Sequence, residues 1–337
     1  MGVKCSTCYD EVDTRFEMVP TLNETTNSAN TGRSGLFVVS SQALDAGNDH
    51  TVIFDGGLRY TGQWRGGVRE GHGVLQRPDG GWYEGQFVAG KAHGTGKLSH
   101  VNGDMYKGEW HQDQAHGRGT FTHQDGSSYV GQWQQDMQQG SGVEVWADGS
   151  RFEGDYESSR KHGFGKFSWA EGSTYTGEFF ENDIHGHGNY RWSDGRVYDG
   201  HWRRNHMHGR GRMRWSDGRE YDGCYCEDKK DGQGSFTWAD GRQYDGQWRD
   251  GVQHGTGRYR NSKGLVREGE WRDGRRIRWI EAVPEVRDEV EPRPQPEAQL
   301  EADAASRQDE PETHVPVVED SSVPEDEKEV HEASAAT

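Results

Sequence analysis

Along most of this chain, apolar and polar residues alternate in runs of five whose apolar ends are rings and whose centre is glycine. The first clear run is Tyr60-Thr61-Gly62-Gln63-Trp64. A period of two places both rings and the glycine on one face of a β-strand and Thr61 and Gln63 on the other, and it excludes a helix. The leading ring returns at Tyr83, Tyr106, Tyr129, Phe152, Tyr175, Tyr198, Tyr221 and Tyr244, each 23 residues after the last, with Arg267 in the tenth place. Glycine stands two residues on, from Gly62 to Gly269, and a second ring four on: Trp64, Phe87, Trp110, Trp133, Tyr156, Phe179, Trp202, Tyr225, Trp248 and Trp271. A polar stretch of about six residues then leads to a second strand, as in Gly163, Gly165, Phe167 and Trp169, again with alternate positions on one face. Asp79-Gly80, Asn102-Gly103, Asp125-Gly126 and Asp194-Gly195 follow that strand, and such pairs signal a turn because glycine tolerates positive φ. The pattern predicts an all-β fold, an elongated single-layer antiparallel sheet of stacked 23-residue hairpins. Two strands per unit and ten units give a length of roughly 95 Å at the usual strand spacing.

Composition narrows the class. The 337 residues have a mean hydropathy of −1.12, with 30% hydrophobic residues and 49 glycines, too polar for one large doubly wound or barrel enzyme core. Aromatic residues at 11% are too many for a wholly disordered chain, so the folded part must pack rings. Charge is unevenly spread: residues 60–280 carry 31 basic and 31 acidic groups, whereas 281–337 carry 4 and 18. That last segment also holds seven of the nine prolines and reads as a disordered acidic tail. No apolar run reaches the roughly 18 residues of a membrane helix, and no secretory signal opens the chain. Cys5, Cys8, Cys224 and Cys226 form no disulfide framework, which points to a reducing, intracellular setting.

The succession Tyr244-Asp-Gly-Gln-Trp248, Gly255-Thr-Gly257 and Asp240-Gly241 resembles the MORN repeat (membrane occupation and recognition nexus), over about two thirds of the chain. The resemblance implies an elongated antiparallel sheet of stacked hairpins. It also implies a scaffold at membranes or the cytoskeleton, a radial spoke head component, or a regulatory segment of a lipid kinase or methyltransferase whose catalytic domain this chain lacks. The pattern departs from itself at both ends. Phe37, Val52 and Phe54 fall in register without the matching glycines, so residues 37–59 read as a degenerate cap. At the other end no G-x-G follows Trp271, which predicts an incomplete last hairpin and an open edge, hence a homodimer through the C-terminal repeats.

Met1-Gly2-Val3-Lys4-Cys5-Ser6 fits the N-myristoylation rule, and two of the four cysteines stand beside it. One myristoyl chain anchors only marginally, and Asp10, Glu11 and Asp13 exclude a polybasic second signal, so S-acylation of Cys5 or Cys8 is expected alongside Gly2. The organisation expected is an acylation motif at 1–8, a tether at 9–50, the repeat sheet at 51–280 and the tail at 281–337, with the chain on the cytoplasmic face of a membrane.

Other constellations add less. His93, His116, His162, His185, His208 and His254 form one column, but equivalent positions two strands apart are roughly 9.5 Å from one another, too far to share a metal ion. Cys224 and Cys226 share a strand face. The ring columns, Tyr60, Trp64, Tyr83, Tyr106, Trp110, Tyr129, Trp133, Tyr175, Tyr198, Trp202, Tyr244, Trp248 and Trp271, are expected both to form the core and to floor a groove for protein or lipid. Arg191, Arg203, Arg210, Arg212, Arg214, Arg258 and Arg260 fall on the polar face as a patch suited to an anionic lipid or acidic partner. Nucleic acid is a poor fit to a neutral repeat region and a pI near 5.3. No catalytic triad, P-loop, kinase motif or metal cluster stands out, and no cofactor is implied. The reading is a non-catalytic, lipid-tethered scaffold that presents its sheet to protein or lipid partners. The alternatives are a ciliary or flagellar axonemal component and a regulatory subunit of a separate enzyme.

Overall fold

The structure, a computed structural model, describes residues 49–280. The chain divides into Met1–Val283 and Pro284–Thr337, and every described residue belongs to the first unit. Gly2, Cys5 and Cys8, the tether up to residue 48 and the tail at 281–337 therefore lie outside the described residues.

One open sheet of 21 strands runs from β1 (His50–Ile53) to β21 (Arg275–Trp279). Each strand pairs antiparallel with its neighbours in sequence. A repeat is one hairpin: β2 (Arg59–Arg65) with β3 (Val68–Gln76), then β4 (Trp82–Val88) with β5 (Lys91–Ser99), and so on.

The core sits on one face and consists of rings over glycines. Gly108 faces Gly119 across a hairpin, and a Cβ on Gly108 would stand 2.5 Å from the Tyr106 hydroxyl and 2.7 Å from the Arg118 carbonyl. Only glycine lets the tyrosine lie flat on the backbone there. The Tyr106 hydroxyl donates to the Glu109 carbonyl at 3.0 Å, and Tyr60, Tyr83, Tyr129, Tyr175, Tyr198, Tyr221 and Tyr244 make the same bond three residues on. Phe152 fills its place in the column without a hydroxyl. Each leading ring then meets two second rings edge to face: Tyr83 has Phe87 at 5.2 Å in its own hairpin and Trp110 at 5.1 Å in the next. Such pairs stabilise by about 0.5–1.5 kcal/mol each beyond the area they bury. The zigzag continues from Phe54 to Trp279, so no hairpin completes its core alone.

The structure corrects the spacing expected inside a repeat. The second strand starts only two residues after the first ends, because paired residues such as Gln112 (φ 52°) and Asp113 (φ 70°) take left-handed conformations that close a tight hairpin. Successive turns are clasped: the Asp136 N–H donates to the Ala115 carbonyl at 3.1 Å, and the Ala115 N–H returns to Asp136 Oδ1 at 2.7 Å. The last hairpin also closes, with β20 (Val266–Arg272) paired to the five-residue β21. Of the degenerate cap, β1 pairs with β2 and Phe54 packs on Trp64 at 6.4 Å. Its earlier part lies outside the described residues.

Two predictions follow from this core. Gly108→Ala drives a methyl group into Tyr106 and the neighbouring backbone, and a loss of about 1–3 kcal/mol is expected in denaturant titration. Burial raises the pKa of the column tyrosines, for Tyr60 and Tyr244 to about 12. Unfolded tyrosine titrates near 10, so the column's contribution is complete below about pH 10 and falls as pH rises through the folded values. Phenolate absorbance is expected to appear together with loss of the β-sheet circular dichroism signal, well above the ordinary tyrosine range.

Candidate functional site

The face opposite the rings carries the Thr, Lys, Gln and Glu side chains that alternate with them. Its shape comes from a bulge in each hairpin. Pairing of Gly108 with Gly119 and of Glu109 with His116 leaves Gly117 and Arg118 unopposed, and Gly117 takes φ 58°. The Arg118 N–H, turned out of the ladder, donates to Glu109 Oε1 at 3.0 Å. Gln63, Gln86, Glu178 and Gln247 accept the equivalent N–H in their repeats. A bulge bends the strand and increases its twist.

A groove of about 1040 Å³ lies on this face, from His72 on β3 to Asp155 on β10 (Arg151–Glu157). Its floor is backbone at the glycine ladder, from Gly85 to Gly154. One wall is Glu84, Lys97, Lys107, Thr120, Val130, Val143 and Glu153, and the other includes Gln86, Glu109, Arg118, Gln132 and Asp155. Lys97, Lys107 and Arg118 therefore stand near one end with Glu84 and Glu109 among them, an apolar step follows at Val130 and Val143, and Glu153 and Asp155 close the far end.

The rings do not floor this groove. All thirteen sequence-predicted groove aromatics are buried, Tyr60 at 0% exposure and Trp64 at 8%, because they pack on one another and on glycine backbone. The groove belongs to the other face, where the sequence places the arginine patch in later repeats; its walls are visible there as polar columns, but the bulge that bends them is not.

The seven patch arginines are all exposed on the polar face. Arg203 pairs with Glu227 at 2.9 Å, Arg212 with Asp222 at 3.1 Å, and Arg258 with Glu268 at 3.0 Å. Arg210 and Arg212 border a second hollow of about 410 Å³ with Glu220, Asp222 and Asp245, so cations and carboxylates share it. Arg191, Arg214 and Arg260 sit at strand ends, in a different row.

Histidines come closer than column spacing alone suggests, since His111 stands between His93 and His116 with ring centroids at 5.0 and 5.6 Å. Among the described residues no group of three or more His, Cys, Asp or Glu side chains is arranged to hold a metal ion. Cys224 is half-buried and Cys226 exposed, both as free thiols. No helix among the described residues is long and apolar enough to cross a membrane. At the C-terminal edge β21 presents Arg275, Arg276 and Arg278, all exposed.

No curated protein matches the chain. Among solved structures, the TCP10 domain of Danio rerio CPAP in complex with a STIL peptide is 13% identical, with 70% of this chain and 100% of that one covered and a TM-score of 0.37. The Drosophila melanogaster SAS-4 TCP domain, in complex with a proline-rich motif of Ana2, is 9% identical over 57% and 96%, at 0.28. Virginiamycin B lyase from Staphylococcus aureus reaches 8% and 0.13. Likeness at these scores carries no argument about this chain. The family comparison is of another kind: the MORN repeat model matches ten consecutive segments, from 60–82 to 268–276, in step with the hairpins, and this chain belongs to the MORN repeat family.

Proposed function

We propose that this protein is a membrane-associated interaction scaffold whose polar groove receives an extended segment of a protein partner. The observation that carries the reading is the glycine-floored groove, continuous over several repeats and walled by cations at Lys97, Lys107 and Arg118, an apolar step at Val130 and Val143, and carboxylates toward both ends. The MORN repeat is an interaction repeat, which agrees with a groove that receives a partner. Seven strand spacings from β3 to β10 span roughly 34 Å, the length of about ten extended residues. Lys107 and Val130 stand two strands apart, roughly 9.6 Å, so a ligand in the extended polyproline II conformation, with three residues per turn and about 3.1 Å rise, brings an acidic and an apolar residue three positions apart to them together. Tethering rests on Gly2, Cys5 and Cys8, whose spacing fits dual acylation.

Selection of a random displayed peptide library on the full chain is expected to enrich an acidic residue about three positions from an apolar one. Lys107→Glu and Val130→Glu should each weaken the selected peptides about tenfold, as loss of one buried contact of ordinary size does, while Arg212→Glu leaves them unchanged. Binding indifferent to all three changes sinks the groove. Gly2→Ala is expected to move the protein from membrane to soluble fractions of its native cells, and unchanged fractionation removes the acyl anchor from the reading.

A further inference from the structure

Lysine stands twice on the ring face, at Lys161 and Lys230, where Ala92, Ala115, Ile184 and Met207 are buried in other repeats. Arg69, Gln138 and Gln253 hold the same place in three further repeats, and a charge packed there against rings needs a partner. Lys161 has one: its Nζ lies 3.2 Å from Glu144 Oε2, and the Tyr156 hydroxyl donates to that same oxygen at 2.9 Å. One carboxylate satisfies both groups.

Three periods later Met213 replaces Glu144, Tyr225 replaces Tyr156 and Lys230 replaces Lys161. The acid is gone and its two dependants remain. Tyr225 is 5% exposed, and its hydroxyl is buried with no hydrogen-bond partner. Lys230 makes no ion pair among the described residues. Its Nζ lies instead among four rings, 4.8 Å from the centroid of Phe236, 5.0 Å from Trp248, 5.2 Å from Tyr221 and 5.4 Å from Trp215. Arg219 is the charged neighbour and shares the Trp215 ring, at 5.4 Å. The side chain is half-buried, and its unpartnered Nζ is not among the atoms sealed from solvent.

We propose that Lys230 is a covalent acylation site, an amine that takes an acyl group from small acyl thioesters ahead of the other lysines of the sheet. The nitrogen lone pair attacks the thioester carbonyl, the N–C bond forms as the C–S bond breaks, and the thiolate leaves with the proton that the nitrogen gives up. Nothing is oxidised or reduced. Desolvation and a neighbouring cation are the two devices that activate a lysine nucleophile, and both act here. Burial first, and Arg219 second, lower the ammonium pKa to about 8. Roughly a hundred times more free amine is then present at pH 8 than on an ordinary lysine. The product is a neutral amide among rings and forgoes only the ring-face contacts of the ammonium, whereas acylation of Lys161 breaks an ion pair.

The test exposes the folded full chain to a limiting amount of an acetyl thioester of N-acetylcysteamine at pH 8 and follows each lysine by peptide mass spectrometry. Lys230 is expected to acetylate about tenfold faster than Lys161 or the adjacent exposed Lys229, part of the gain in free amine being offset by the crowding rings. Met213→Glu should restore the missing carboxylate and bring Lys230 down to the rate of Lys161. The reciprocal Glu144→Met should speed Lys161. A rate for Lys230 at or below those of Lys161 and Lys229 in the wild-type chain overturns the proposal, whatever the variants do. So does a rate unchanged by Met213→Glu in protein with the wild-type circular dichroism spectrum.

Discussion

A tyrosine lying flat on two facing glycines, its hydroxyl given to a backbone carbonyl three residues on, is the contact from which the rest of this sheet is assembled. It fixes glycine at both facing positions, because a methyl group on either collides with the ring. It brings each leading ring to the edge of two second rings, one in its own hairpin and one in the next. A single layer of strands thereby acquires a continuous buried core without a second layer to cover it. The same contact shapes the polar face, where the facing glycines present backbone between the two rows of variable side chains. That backbone is the floor of the groove, so the core and the binding surface are two sides of one glycine ladder.

Much of this was legible in the sequence, and the reason is periodicity. Ring, glycine and ring at alternate positions admit only a strand, and a strict period without insertions admits only a stack of like units. What escaped is local backbone geometry. Pairs such as Ser158-Ser159 and Arg204-Asn205 adopt positive φ with no glycine to announce it, so the hairpin turn looked like a longer polar stretch. The turn is held open to such residues by its neighbour, as when the Ile184 N–H donates to Asn205 Oδ1 at 2.8 Å. The bulge was equally hidden, because its glycine resembles every other glycine of the repeat. The rings were correctly placed on one face, but a flat reading of the sheet put the hollow on that face as well.

Departures from the repeat carry as much meaning as the repeat. Phe152 shows that the column tolerates loss of the hydroxyl when the ring remains, so the ring is the indispensable half of the contact. Glu144 and Met213 show the opposite case, in which one substitution changes the chemistry of residues on two neighbouring strands. Because every unit has the same frame, such differences can be read directly, position against position. A repeat protein thus contains its own controls.

The clasp between successive turns is not uniform along the sheet. Asp113, Asp136, Ser159, Asn182, Asn205 and Asp228 return a side-chain acceptor to the turn before, while at the outer turns other side chains do the linking: the Arg69 guanidinium donates to the Gly90 carbonyl, the Ala89 N–H donates to Glu70, and Lys229 pairs with Asp250. The turns are therefore clasped by different bonds along the sheet, on top of the strand ladder that each hairpin shares with the next. Amide protons at either extremity should exchange with solvent long before those in the middle, and an applied pull would peel the sheet from its ends inward. The segment left standing longest is the middle of the sheet, which the groove reaches only at its far end, on β10.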